Sequence, residues 1–345
     1  MPPKTIKYIP ISSLCGGTKV ETCYLLQNPQ IRPKKDGSNF VTMELRDATG
    51  KITGIMWDGF DAIVAGTIRD NDYVEVTGDI LVYNNQLQFK VSRIVKINDS
   101  AVDSSKFLPI SPIPAEKLDE QFRSIIERLQ DADLKRLVSA IFSNSEFMQR
   151  FRRAPGATTM HHAYIRGLYE HTISVVNNAL KIAENYPEAN QSILIAAALL
   201  HDIGKVVEYN YEKKITHSDV GRLLGHIAIG YGMVELECAH LADFPTAKKV
   251  ILQHIMLSHH GMMEYGSPKR PKTLEALILH HADDLDAKIG NYLDFAAATQ
   301  RNGIRWEFNK MFDRYMFSGG DNVEGADLME QISRGFVTQD DAEDA

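Results

Sequence analysis

Seven side chains of metal-binding type recur in a fixed order across a little over a hundred residues: His171, the doublet His201-Asp202, His226, the pair His259-His260, and Asp283. Imidazole nitrogens and carboxylate oxygens are the donors that hold divalent cations. Most of the seven lie in apolar segments of helical period, where a buried imidazole or carboxylate without a partner is costly. One or two ions would satisfy them all, and metal-assisted hydrolysis is the chemistry such a set could perform.

The elements that must carry these groups are legible around each one. His171 opens a helix whose apolar side is Val175, Val176, Ala179 and Leu180. His201-Asp202 follows Ile193 to Leu200, a helix apolar almost all round and therefore central. Neighbours in mid-helix diverge by roughly 100°, but at the last turn, before Gly204, the backbone can bend so that both side chains reach one ion. At His226, the preceding Gly225 is expected to let another group approach closely. His259-His260-Gly261 ends a helix begun near Thr246, and Asp283 lies on a helix from Thr273 to Ala298, with His280 one turn earlier on the same face. The remaining His161, His162, His217, His240, His254 and His281 are read as ordinary core or surface histidines.

Residues 1–98 have a different period. Val41, Met43 and Leu45 alternate with polar residues, as do Val74 and Val76, then Leu87, Phe89 and Val91. Turn signals at Lys35 to Ser38, Asp47 to Gly50 and Asn84-Asn85 separate them, and a short helical pattern, Asp61 to Ile68, falls between the third and fourth strands. Five strands with a helix in that place have the order of an OB-fold, a small Greek-key barrel. Arg32, Lys34 and Lys35 are placed in the loop between the first two strands, where such barrels commonly grip single strands; Phe40, Trp57 and Tyr83 are either stacking surfaces for bases or core residues.

The expected organisation is therefore multidomain: an all-β OB-fold barrel at 1–98, a proline-bearing linker at 99–115 that reads as a stiff extended spacer, a helical connector at 116–155, an all-α metal-binding bundle at 156–315, and an acidic, flexible tail at 316–345. The tail holds eight acids against one base and so accounts for the whole formal net charge of −7, whereas residues 1–98 carry twelve Lys/Arg against ten Asp/Glu. An acidic total therefore does not exclude a polyanionic partner. No apolar run is long enough to span a bilayer, and the N-terminus lacks the apolar segment of a signal peptide. Cys15, Cys23 and Cys238 are scattered and odd in number, which fits a reducing cytoplasm and excludes thiolate ligation of zinc-ribbon spacing.

The ligand order His, His-Asp, distant Asp resembles that of the HD-domain metal-dependent phosphohydrolases, and His171, His201, Asp202 and Asp283 match it one for one. His226 and His259-His260 resemble the subset that binds a second metal. The resemblance implies one ion on His171, His201, Asp202 and Asp283, and another on His226, His259 and His260 with Asp202 as a shared bridge. A barrel followed by such a domain, together with the phrases His161 to Thr172, His201 to Lys205 and Leu274 to Lys288, is similar to the YhaM-type 3′-to-5′ exoribonucleases. Arg166 departs from that pattern, where a small residue is expected.

Phosphodiesters resist hydrolysis because repelling charge shields phosphorus and the leaving oxygen is poor. Two cations would lower the pKa of a water between them and stabilise charge on the phosphoryl and leaving oxygens. Mixed His/Asp ligation suits Mn²⁺ first, with Fe²⁺, Co²⁺, Ni²⁺ or Mg²⁺ as alternatives. Asp202 and Lys205 are the catalytic candidates, Lys205 as a clamp on a phosphate oxygen; a solvated lysine near a helix end is the plainer reading. The implied partner is single-stranded RNA, with single-stranded DNA second; no membrane is involved, and a homo-oligomer stays open. The rival readings are a phosphodiesterase or phosphohydrolase of nucleotides or cyclic dinucleotides, and a non-catalytic nucleic-acid-binding protein.

Overall fold

The alternating N-terminal segments form five strands, β1 (Lys19–Pro33), β2 (Asn39–Asp47), β3 (Gly50–Met56), β4 (Tyr73–Tyr83) and β5 (Gln86–Lys96), with α1 (Asp61–Val64) between β3 and β4. The computed structural model describes residues 7–83, 86–103, 106–158, 162–301, 304–319, 329–330 and 332–333. The turn at Asn84-Asn85, Ser104-Ser105, His161 and most of the acidic tail therefore lie outside the described residues. The strands close into a barrel in the order β1-β2-β3-β5-β4, through a parallel β3–β5 pairing. The closing contacts are short: β5 meets β3 only at Gln88 to Lys90, and β1 meets β4 over Lys19 to Leu25 and β2 over Leu25 to Pro33. The inward set, including Tyr24, Leu26, Val41, Leu45, Val74, Val76, Ile80 and Phe89, is fully buried, which is what the period-two pattern requires.

Two local readings change. Arg32 is not in the loop: β1 runs on past a register irregularity between Gln27 and Gln30, and Arg32 pairs with Phe40 across the ladder, leaving Lys34 and Lys35 as the loop bases. The segment after the barrel is not a free spacer either. Phe107 is buried against Tyr73, with ring centroids 4.8 Å apart. Ile110 bridges Ile165, with the Ser111 N–H donating to the Ile165 carbonyl and the Ile165 N–H to that of Pro109. The prolines do extend this backbone, but its apolar side chains dock it.

The helical part comprises α2 (Ala115–Glu127), α3 (Ala132–Ser143), α4 (Ser145–Arg153), α5 (Gly167–Ala183), α6 (Gln191–Leu200), α7 (Lys205–Glu208), α8 (Asp219–His240), α9 (Thr246–Ser258) and α10 (Leu274–Arg301). A two-residue ladder, β6 (Tyr209–Asn210) with β7 (Thr216–His217), sits between α7 and α8. Starts are set by side-chain caps: Asp131 for α3, Asn144 for α4, Asn190 for α6 and Ser218 for α8 each accept a backbone N–H of the first turn. Residues Leu194 to Leu200 of α6 are all buried, so this helix is the axis around which the others pack. Phe122, Phe142, Phe151 and Tyr169 join α2, α3, α4 and α5 through ring contacts of 5.0 to 6.1 Å.

The chain divides into two units, Met1–Asp286 and Ala287–Ala345. The first holds the barrel and helices α2 to α9. The second contains the end of α10 and a hairpin, β8 (Trp306–Asn309) with β9 (Arg314–Phe317), where the sequence reads as helical. The reason is a short period-two pattern: Trp306 and Phe308 stand opposite Phe317 and Tyr315, with ring centroids 5.0 and 5.6 Å apart. Among the described residues, no helix is long and apolar enough to cross a membrane.

Candidate metal centre

Five helices or helix ends deliver the ligand-type side chains to one place. His171 is on the second turn of α5 and is buried. The last helical residue of α6 is Leu200, so His201 and Asp202 fall in the turn that joins it to α7, and both are almost wholly inaccessible. That turn can lie against α8 because of Gly204: a Cβ there would stand 2.0 Å from the His226 carbonyl oxygen. Gly225 has a different role from the one its sequence suggests. Open space surrounds its Cβ position, but its φ of 72° breaks α8 in a conformation that L side chains rarely adopt. The break re-aims His226. His259 and His260 follow the end of α9, and Asp283 comes from α10.

The distances separate these groups into two sets that share Asp202. His171 Nε2 lies 3.4 Å from His201 Nε2, 3.2 Å from Asp283 Oδ1 and 3.4 Å from Asp202 Oδ2, and His201 Nε2 is 3.3 Å from that same Oδ2. Asp202 Oδ1 points elsewhere, 3.3 Å from His226 Nε2 and 3.6 Å from His259 Nε2. With His260, these residues place ligand atoms within 4.8 Å of one another. Ligands about 2.1 Å from one ion are about 3.0 to 3.4 Å apart at ordinary coordination angles, so the spacing suits cations.

Hydrogen bonding fixes which nitrogen is available. Nδ1 of His201 lies 2.8 Å from the Ala198 carbonyl oxygen, Nδ1 of His259 2.7 Å from that of Met256, and Nδ1 of His260 2.8 Å from that of Tyr265. A carbonyl only accepts, so the proton is on Nδ1 and the lone pair is on Nε2, facing inward. His171 Nδ1 is held by Asp286 Oδ2 at 2.7 Å, and His226 Nδ1 lies 3.1 and 3.3 Å from the two oxygens of Glu208. The inward atoms Asp202 Oδ1, His226 Nε2 and His259 Nε2 are buried, with no hydrogen-bond partner among the described residues. Orphans of this kind cost free energy unless something coordinates them. A divalent cation fits this donor set.

The electrostatics agree. Burial opposes ionisation of Asp202, but Lys205, His201 and His171 outweigh it and hold the carboxyl well below its usual value. Asp283 is likewise depressed, burial being overcome by His171, His201 and His259. Burial lowers His259, and takes His260 down to about 4, so both stay neutral. His171 goes the other way: burial disfavours its charge, yet the carboxylates of Asp202, Asp283 and Asp286 raise it well above the ordinary value. The shift measures the negative charge converging on this ring, and a cation there would take the place of the proton.

Lys205 Nζ lies 2.6 Å from Asp202 Oδ2 and is largely buried, so it is not a solvated lysine. Three groups that the sequence does not advertise also belong to the centre. Asp286 and Glu208 anchor His171 and His226, and His162, read from sequence as an ordinary histidine, lies 3.0 Å from Asp286 Oδ2 and 2.7 Å from the Tyr164 hydroxyl. Position offers a signal: Asp286 is three residues after Asp283 and Glu208 three after Lys205, one helical turn on the same face. Arg166 caps α5 in a left-handed conformation, with φ of 71°, and lines a cavity with Arg153, Ile110 and Tyr211.

On the barrel, Phe40 and Trp57 stack on each other with centroids 4.8 Å apart and planes at 20°. Trp57 remains 41% exposed, and Lys34 Nζ is 5.5 Å from its ring centroid. Lys35 is exposed, as is Arg32, whose guanidinium is engaged by Thr42 and Gln30. Tyr83 is exposed at the end of β4.

Two family descriptions match the chain: an OB-fold nucleic acid binding domain over residues 29–97 and an HD domain over residues 168–288. The chain is 34% identical over 288 residues to the 3′-5′ exoribonuclease YhaM of Geobacillus sp. (strain WCH70), covering 83% of this chain and 87% of that protein. Among solved structures, the second OB-fold domain of replication protein A from Methanococcus maripaludis matches at 22% identity, covering 27% of this chain and 96% of that one, with a TM-score of 0.22. A replication protein A heterotrimer bound to ssDNA matches at 20% identity over 23% of this chain and 57% of that one, with a TM-score of 0.19. At such scores neither adds to the reading.

Proposed function

The chain belongs to the family of the 3′-5′ exoribonuclease YhaM, and from that membership we propose that its two sets of inward-facing ligands hold a pair of divalent ions, Mn²⁺ foremost, which serve the trimming of single-stranded RNA and, second, single-stranded DNA. The protein is a hydrolase, a 3′-5′ exoribonuclease, with an OB-fold barrel and an HD domain. The observation that carries the two-ion reading is the division of labour within Asp202, whose Oδ1 and Oδ2 face different histidines.

Bound in this place, divalent ions supply an activated water and neutralise charge on the phosphoryl and leaving oxygens. The rest falls to the chain. His171, His201, Asp202 and Asp283 would hold one ion; Asp202, His226, His259 and His260 the other. Asp202 and Asp283 remain anionic at neutral pH and His259 and His260 remain uncharged, so no proton competes at those four positions. Lys205 spends one N–H on Asp202 and keeps two for a phosphoryl oxygen of the scissile link. Burial of His171, His201, Asp202 and His259 keeps bulk water from their side of the cluster and strengthens the interactions there.

The barrel would supply the grip. Lys34 and Lys35, with Arg32 at the strand end beside them, match a phosphate backbone, and the exposed part of the Phe40–Trp57 pair and Tyr83 offer ring faces to bases. Cys15, Cys23 and Cys238 are free, two of them buried, which suits work in a reducing cytoplasm.

The deciding experiment uses an oligoribonucleotide labelled at its 5′ end, incubated with the Mn²⁺-loaded protein beside cyclic dinucleotides and nucleoside triphosphates. A descending ladder from the 3′ end is expected. Cleavage of the small molecules alone would overturn the assignment in favour of a nucleotide phosphodiesterase.

A further inference from the structure

Two carboxylates outside the ligand set stand behind the cluster, one behind each group of ligands. Asp286 Oδ2 lies 2.7 Å from His171 Nδ1 and 3.0 Å from His162 Nε2, while its other oxygen accepts from the Ser174 hydroxyl. Glu208 accepts the backbone N–H of His226 at 3.1 Å and holds the Nδ1 of the same residue. Both acids are buried, at 9% and 6% exposure, so neither is screened by water. The other three imidazoles rest on carbonyl oxygens. A full negative charge behind an imidazole N–H makes the far nitrogen a stronger donor than a carbonyl dipole does, and it fixes the ring plane as well. The distribution is even: His171 belongs with His201 and Asp283, and His226 belongs with Asp202, His259 and His260.

We propose that Asp286 and Glu208 are positioning residues that set the affinities of the two cation sites separately, Asp286 through His171 and Glu208 through His226. Among the described residues each group has one imidazole backed by a carboxylate, and the two carboxylates come from different helices, α10 and α7. Asp286 has a second duty. Through His162, whose carbonyl accepts the Gly156 and Tyr164 N–H groups, it ties Gly156 and Tyr164 to the same ligand. The two sites are thereby tuned by separate parts of the fold, although they share Asp202.

The inference rests on the two-ion reading, and the test keeps the two apart. Metal-free protein is titrated with Mn²⁺ and free ion is followed by electron paramagnetic resonance. Wild-type protein should bind two ions; one or none overturns the two-ion reading itself. Asp286→Asn should weaken one site about tenfold to a hundredfold and leave the other within threefold. Glu208→Gln should do the converse, and the double variant should lose both. Circular dichroism should show each variant folded, and the loss confined to one of the two sites is the readout that a purely structural role would not give. Ser174→Ala, which frees one Asp286 oxygen, is the gentler variant if Asp286→Asn does not fold, and Glu208→Asp serves likewise for Glu208. Single variants that weaken both sites equally, or neither, overturn the proposal.

Discussion

Oδ1 of Asp202 and Nε2 of His226 face each other at 3.3 Å, both buried and both without a hydrogen-bond partner among the described residues. Two acceptor atoms at that separation repel unless a cation or a proton lies between them. The pairing makes Asp202 the most sensitive position in the centre. Asp202→Asn, which keeps the shape and removes the charge, should lower kcat about a thousandfold or more, equivalent to about 4 kcal/mol of transition-state stabilisation. Oligonucleotide binding, read by fluorescence anisotropy, should stay within a few-fold. Undiminished turnover would show that this carboxylate does not bridge the two sites.

Removing the cations should cost stability as well as activity. At an ion concentration a hundred times the dissociation constant, each bound ion adds about 2.7 kcal/mol, which corresponds to about 5 to 10 °C in melting temperature for a domain of this size. Protein stripped by chelation should melt lower by that margin per ion and recover both stability and cleavage on addition of Mn²⁺. A melting curve indifferent to Mn²⁺ would mean that these orphaned atoms do not form a cation site.

Two glycines on neighbouring elements should respond in opposite ways to the same substitution. Gly204→Ala places a methyl group 2.0 Å from the His226 carbonyl, against backbone that cannot step aside. It should destabilise the fold by several kcal/mol, about 2 or more, and weaken metal binding. Gly232→Ala, in an exposed stretch of α8 with open space around the new methyl, should be neutral or stabilise by up to about 1 kcal/mol. Urea denaturation curves compare the two, and equal effects would refute the close approach of the 201–204 turn to α8.

Lys34→Ala with Lys35→Ala should reduce affinity for a long single strand and flatten its salt dependence by about 0.7 log units per log unit of salt for each lysine removed. Cleavage of a dinucleotide should be unchanged. Equal losses on long and short substrates would argue against a separate gripping role for the loop.

Asp131 gives a pH signature remote from the metal centre. Its carboxylate caps α3 and receives Lys248 Nζ at 2.6 Å. Burial would raise its pKa, but Lys248 and the N–H groups of Asp133 and Leu134 outweigh that and lower it. A folded value below the unfolded one means a stabilising contribution that is complete above about 3.9 and fades as pH falls through the folded value. Asp131→Ala should therefore cost about 1 to 2 kcal/mol at neutral pH, and the gap between variant and wild type should narrow in acid. A constant gap from neutrality to pH 3 would exclude the linkage.

The cluster of ligand-type side chains was legible in the order of His, His-Asp, His, His-His and Asp along apolar helices, whose ligand atoms the structure brings together. Their anchors were not. An acid such as Asp286 or Glu208 on a helix is usually solvated; the spacing from Asp283 and Lys205 puts each on the right face, and the packing is what turns it to a ring nitrogen. The barrel followed from its alternating strands, but Arg32 was misplaced because β1 continues through an irregularity that looks like a strand end. Strands of four residues, as in β8 and β9, give too little period to distinguish from the helix before them. The docking of Phe107 depends on a partner, Tyr73, far away in the chain, and no local pattern encodes it.

The closed ladder of the N-terminal barrel has a bearing on how a polymer can be handled. With the five strands joined in a ring, what this barrel offers a polymer is above all side chains, such as the Lys34 and Lys35 ammonium groups and the Trp57 ring. Flat rings and ammonium groups treat adenine and uracil much alike. An enzyme that removes one unit and then shifts its substrate by one step needs that indifference, since every advance presents a new base in the old position.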